Sequence, residues 1–326
     1  MSEHEGRRVT RLGLQIPSFT YPGVSDAELF GRVAEIATTA EDAGFDSVWA
    51  MDHFYQIPSQ GQRTEPMLEC YALLSGIAAR TSQVRLGALV TGVTYRNPAH
   101  LAKIVTTLDI VSSGRAILGI GAAWNEEEHW GYGFEFPSAS ERFERLEEAL
   151  QICRAMFQAE APTFQGRHYR IEEALNFPRP VNPGGPPILI GGSGEKKTLR
   201  LVAQYADACN LFGDAATIRH KLDVLEQHCK EIGRDPSEIT KTRLGGLVIR
   251  PTHEEAERAG ADLKAARGLS EEWYRMSQLV GEPDEIGEKA QEFLDAGLDG
   301  LIFNMWGVQE LEPVALAGQT LSKVLG

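Results

Sequence analysis

The chain has 326 residues, 42% of them hydrophobic and 24% charged, the mix of an ordinary soluble enzyme with enough chain for a full core. Its formal charge of −14 argues against nucleic acid or an anionic membrane surface as a partner. No stretch approaches the ~18–20 apolar residues of a membrane span, and no apolar segment follows Arg7 and Arg8 to make an export signal, so a cytoplasmic protein is expected.

Short apolar runs alternate with longer amphipathic ones, the pattern of βαβ units. The first predicted strand covers residues 11–16. A helix over 26–43 follows, with Ser25 as N-cap, Glu28 completing a capping box and Gly44 as the stop. Strand two is predicted over 47–51, a helix over 66–80, and strand three over 84–90. Asn97 and Pro98 open the next helix as N-cap and first-turn proline. Strand four covers 116–120, and a helix runs from about 140 to 157. Residues 158–187 are rich in proline and aromatics and read as an inserted loop with a small hairpin around Gly166. Strands five to eight are predicted over 188–190, 208–212, 243–249 and 300–303, with helices between them and a closing helix to Leu325. This count predicts one domain, residues 1–326: an α/β protein of the (β/α)8 TIM-barrel type with an insertion between strands four and five. A doubly wound open sheet of eight strands is the alternative.

Barrel chemistry sits at the C-terminal ends of strands. After strand two stand Asp52 and His53, a carboxylate beside an imidazole that titrates near neutrality; an exposed loop pair without a role fits equally well. After strand three, Thr91 to Pro98 reads as a tight loop. After strand four, Gly121, Ala122 and Ala123 leave backbone open to a ligand, with Trp124 and Asn125 next to them. After strand five, Gly191, Gly192, Ser193 and Gly194 feed a helix whose free N–H groups suit a phosphate, with Lys196, Lys197 and Arg200 nearby. A flexible turn is the plain alternative. Glu126, Glu127, Glu128 and His129 do not form a zinc pattern and read as a solvated acidic face. His220 and His228 read as surface residues. Cys70, Cys153, Cys209 and Cys229 make no metal or disulfide spacing and read as buried free thiols, so no metal is expected. No G-x-S-x-G elbow supports acyl hydrolysis.

Six segments then carry a resemblance: LGLQIPSF, AEDAGFDSVWAMDHF, VRLGALVTGVTYRNPAHLAK, DIVSSGRAILGIGAAWNEEEHWGYGF, PILIGGSGEKKTLRLVAQYAD and DEIGEKAQEFLDAGLDGLIF. Together they resemble the luciferase-like monooxygenase superfamily, and more narrowly its oxidoreductases that use coenzyme F420, a deazaflavin. The resemblance implies hydride transfer between F420 and a small organic substrate. It implies that Asp52 contacts the deazaflavin and that His53 exchanges a proton with the substrate. It also implies a non-proline cis peptide at Leu89–Val90 behind the ring. Gly121, Ala122, Ala123 and Asn125 would line the ring and ribityl chain, and Gly191, Gly192, Ser193 and Gly194 would hold the phosphate. A homodimer is the implied assembly. Close relatives bind FMN, so the alternative is a reduced-flavin monooxygenase using O2 and fed by a separate reductase. The sugar-phosphate and alcohol dehydrogenases of this group carry a Trp shortly after the Asp-His-Phe segment and a Glu just past strand four. Here Tyr55-Gln56-Ile57 and Ala122-Ala123-Trp124 stand there, which puts in doubt a sugar-phosphate substrate and a carboxylate partner for His53.

Overall fold

The computed structural model describes residues 9–325; Arg7 and Arg8, and with them the expectation about an export signal, lie outside the described residues. In chain order the elements are β1 (Leu12–Ile16), α1 (Leu29–Ala43), β2 (Ser47–Ala50), α2 (Cys70–Ala78), β3 (Arg85–Ala88), β4 (Thr91–Gly92), α3 (Pro98–Val111) and β5 (Ala116–Gly121). Then come α4 (Glu126–Tyr132), α5 (Ala139–Gln158), β6 (Phe164–Gln165), β7 (Arg170–Ile171), β8 (Ile188–Gly191), α6 (Thr198–Tyr205), β9 (Ala208–Leu211) and α7 (Ala215–Ile232). The chain continues with β10 (Thr240–Ile249), α8 (His253–Arg267), α9 (Glu271–Ser277), β11 (Gln278–Gly281), α10 (Pro283–Asp295), β12 (Gly300–Met305) and α11 (Leu311–Leu325).

Strand pairing is parallel around a ring: β1 with β2 and β12, β2 with β3, β3 and β4 with β5, β5 with β8, β8 with β9, β9 with β10, and β10 with β12. β3 and β4 share one position, separated by a cis peptide at Leu89–Val90. The ring is the expected (β/α)8 barrel, and the β9–β10 pairing that closes it excludes the open sheet. β11, which the sequence pattern does not separate from its flanking helices, adds a further parallel strand beside β10, outside the ring.

The period of two along each strand divides the apolar residues into two layers. Leu12, Leu14 and Ile16 join the large core shared with the surrounding helices. Val9, Trp49, Leu89, Ile117, Leu189, Ala208 and Ile302 fill the barrel interior. Trp49 occupies that space because its neighbours lack side chains: a Cβ on Gly13 would come within 2.8 Å of the indole nitrogen, and one on Gly87 within 2.7 Å of the ring. The indole N–H donates to Ser47 Oγ at 2.8 Å, so the buried donor keeps a partner. Large side chains therefore plug the barrel at the level of Trp49, and glycines at the strand ends leave a hollow above it.

Two local expectations shift. The first helix begins at Leu29, because Glu28 reaches back to the Ser25 amide and hydroxyl, and the intervening residues form turns. The second begins at Cys70, where the Glu69 side chain accepts from the Ala72 amide and caps it. The hairpin around Gly166 is present as β6–β7. The insertion packs outward: Glu148 of α5 accepts from the amides of Arg167, His168 and Tyr169. Arg179 donates to the carbonyls of Met156, Phe157 and Ala159 at the end of α5.

Candidate active site

The strand ends enclose a cavity of about 460 Å³. Asp52, His53, Leu89, Val90, Gly121, Ala122, Ala123, Gly191 and Gly192 line it. So eight of the eleven expected cofactor contacts, Asp52 among them, and the acid/base candidate His53 converge on one space. Asn125, Ser193 and Gly194 are not among the lining residues. The Asn125 carbonyl instead accepts from His129 Nδ1 at 2.6 Å, and Ser193 Oγ accepts from the Phe212 amide at 3.1 Å. No residue of the 158–187 insertion is among the lining residues. The cover comes from elsewhere: Arg267 at the end of α8 donates to Ser59 O at 2.6 Å and Gln60 Oε1 at 2.5 Å, bridging the mouth.

His53 is not alone. Its Nδ1 lies 2.8 Å from Glu128 Oε2, and Glu128 is fully buried. Glu128 also accepts from the amides of Phe54 and Tyr55 and from the Tyr95 hydroxyl at 3.0 Å. Burial alone would raise its carboxyl pKa; the bonds and charge of His53 and the two amides outweigh that and hold it below the usual carboxylate range. An ionised carboxylate only accepts, so His53 Nδ1 is the donor and Nε2 is left for chemistry.

Two expectations are thereby corrected. Glu126-Glu127-Glu128-His129 is not wholly a solvated face: Glu126 and Glu127 are exposed, but Glu128 and His129 are buried. The physical reason is that α4, a short helix that the sequence pattern does not mark, turns successive residues to different sides. The carboxylate partner for His53, in doubt because Ala122-Ala123-Trp124 lacks a Glu, comes from one turn further along the chain. His129 anchors that turn through Thr94 Oγ1 at 2.6 Å as well as Asn125 O. Burial lowers the His129 pKa, which fits a neutral ring bridging the two. The signal available in sequence is thin: an Asn followed by three acidic residues is an ordinary helix start.

Asp52 is also paired. Arg96 donates to both its oxygens, at 2.7 and 3.0 Å, and the Gly92 amide adds a bond at 3.2 Å. Burial raises the carboxyl pKa, a rise that the bidentate guanidinium opposes without cancelling, and Asp52 in turn holds Arg96 more firmly protonated. The tight loop of Thr91 to Pro98 thus carries a functional side chain. Phe54 packs on Tyr132 and Tyr95, with ring centroids 4.4 and 4.6 Å apart, and fixes the segment that carries both acidic partners' contacts.

The glycine turn after β8 differs from expectation in one respect. α6 starts only at Thr198, after Glu195, Lys196 and Lys197. Lys197 is drawn to Ser140 Oγ at 3.1 Å, and Arg200 pairs with Glu147 at 2.9 Å, so α5 takes up part of the local positive charge. Gly191 and Gly192 still present bare backbone to the cavity, with Gly192 at φ +126° where a side chain is strained, and Thr198 lies beside them.

The chain belongs to the luciferase-like monooxygenase family, whose description matches residues 10–267. It is 30% identical to an F420-dependent glucose-6-phosphate dehydrogenase of Nakamurella multipartita, over 94% of this chain and 96% of that one. In fold it is similar to an F420-dependent secondary alcohol dehydrogenase in complex with an F420–acetone adduct, with a TM-score of 0.79 at 21% identity, covering 97% and 99% of the two chains. It is equally similar to the monooxygenase RslO1 of Streptomyces bottropensis, with a TM-score of 0.81 at 20% identity, covering 97% and 98%. These two structures speak to the fold.

Proposed function

We propose that the chain is a coenzyme F420-dependent oxidoreductase of one barrel domain, acting on a small organic substrate. The observation that carries this is the His53–Glu128 pair at a strand-end cavity, with the second imidazole nitrogen free. The cavity fits a deazaflavin. Leu89 and Val90 line one side of it. A Cβ on Gly121 or Gly191 would come within 2.8 Å of Val90, so both strand ends are bare. Asn304, which also lines the cavity, has a buried Oδ1 with no partner, an acceptor matched to a ring N–H.

In this reading Leu89, Val90, Gly121, Ala122 and Ala123 hold the ring and ribityl chain. Gly191 and Gly192, with Thr198, hold the phosphate, while Ser193 and Gly194 shape the turn and Asn125 anchors α4. Asp52, locked by Arg96, presents a fixed polar edge to the cofactor. When bound, F420 accepts or supplies a hydride equivalent. His53 Nε2 moves the matching proton to or from the substrate oxygen. Glu128 fixes the imidazole tautomer and stabilises its charged form. A cytoplasmic homodimer belongs to the same reading, and sedimentation analysis tests the dimer. Titration of the purified protein with F420 and with FMN tests the cofactor: F420 is expected to bind at least tenfold more tightly, and the reverse order would favour an FMN-dependent monooxygenase.

A further inference from the structure

We infer that the substrate is a flat, apolar, conjugated carbonyl compound and not a sugar phosphate; this rests on the F420 reading above. Three of the large apolar side chains that stay exposed in the structure line this cavity: Trp124 at 58%, Phe212 at 51% and Trp273 at 49% exposure. Apolar rings left facing solvent inside a cavity mark a surface that its ligand covers. Trp124 stands directly at the reactive end, its ring edge-on to His53 with centroids 5.4 Å apart. Trp306 extends the wall toward the mouth.

The polar inventory points the same way. Apart from His53, the cationic side chain among the lining residues is Arg267. Its Nη1 donates to Ser59 O and Gln60 Oε1 and its guanidinium lies 5.4 Å from the centre of the Trp306 ring, which ties this one cation to the mouth. Asp52 is already paired with Arg96 and His53 with Glu128. A phosphomonoester dianion would meet that single guanidinium and no cation cluster, and a sugar's hydroxyls would lie against the rings of Trp124, Phe212 and Trp273, which offer no acceptors, leaving only the scattered amides and hydroxyls of the lining. A conjugated ketone meets the wall with its ring and His53 with its oxygen. The balanced step is a two-electron reduction. Hydride leaves a C–H bond of the reduced deazaflavin, which is oxidised, and forms a C–H bond at the β-carbon; the C=C π pair shifts to join the α-carbon to the carbonyl carbon, and the C=O π pair moves onto the oxygen, giving an enol once that oxygen is protonated. That oxygen takes a proton from His53 Nε2, which solvent replaces.

The test is calorimetric titration of the protein loaded with oxidised F420, using 2-methyl-1,4-naphthoquinone and glucose 6-phosphate as probes. The naphthoquinone is expected to bind at least tenfold more tightly. Trp273→Ala is expected to weaken it by about tenfold without altering F420 loading, and Trp273→Phe to restore it. Tighter binding of glucose 6-phosphate, bleaching of the F420 absorbance by it, or a naphthoquinone affinity indifferent to Trp273→Ala would overturn the inference while leaving the cofactor in place. F420 failing to load would overturn the cofactor reading, and this inference with it.

Discussion

A carboxylate buried among aromatic rings loses its hydration, and Glu128 replaces it with bonds from His53, Phe54, Tyr55 and Tyr95. Two consequences follow at this scale. His53→Ala is expected to lower kcat by roughly 10²–10³-fold, and Glu128→Gln by roughly 10²-fold with KM moved less, in steady-state assays. Glu128 also ties stability to pH. Its folded pKa lies below its unfolded one, so its contribution is fully present above the ordinary Glu range and is lost as pH falls through the folded value. Wild type is expected to exceed Glu128→Gln by roughly 2–3 kcal/mol at neutral pH, and urea melts should show the gap closing in acid. A gap independent of pH would mean that the ionised form is not what stabilises. Arg96→Met leaves Asp52 buried and unpaired, a loss of roughly 3–5 kcal/mol; Arg96→Met with Asp52→Asn should recover much of it. Asp52 and His53 could be picked out in the sequence because they directly follow an apolar run. Glu128 and Arg96 could not, because their roles depend on which loop folds back on them.

At the level of elements, the short helix α4 and the bare ends of β5 and β8 divide the work: one delivers a carboxylate, the others clear room. Gly191→Ala places a Cβ within 2.8 Å of Val90, so it is expected to raise the F420 dissociation constant by roughly tenfold while circular dichroism stays unchanged. The β6–β7 hairpin serves a different end. Glu148→Ala frees the amides of Arg167, His168 and Tyr169, and is expected to lower stability by about 1–3 kcal/mol with F420 affinity and kcat preserved. A change in kcat would make the hairpin part of the site. Strand and helix alternation is legible from apolar periodicity, and Asn97-Pro98 marks its helix start correctly. The elements that escape are short ones: α4, α9 and β11 have too few residues for a period to show, and tertiary contacts decide their form.

Across the whole molecule, Trp49 and the interior apolar layer close the lower barrel and the glycine-edged strand ends open the upper, where the candidate site lies. Ring closure itself is not visible in the chain. A count of eight strands fits an open sheet too, and the β9–β10 pairing decides it. The net charge of −14 leaves an anionic cofactor to be met by bare backbone and a few local cations, which predicts that F420 affinity weakens as salt rises only modestly, far less than a polycationic site would show. The most direct measurement is anaerobic turnover of reduced F420 with a conjugated ketone, followed through the return of the F420 absorbance. F420-dependent hydride transfer predicts oxidation of the cofactor without O2, one equivalent per equivalent of ketone reduced, and slowed at least 10²-fold by His53→Ala. Product formation that requires both O2 and reduced FMN, with no anaerobic F420 oxidation, would contradict it.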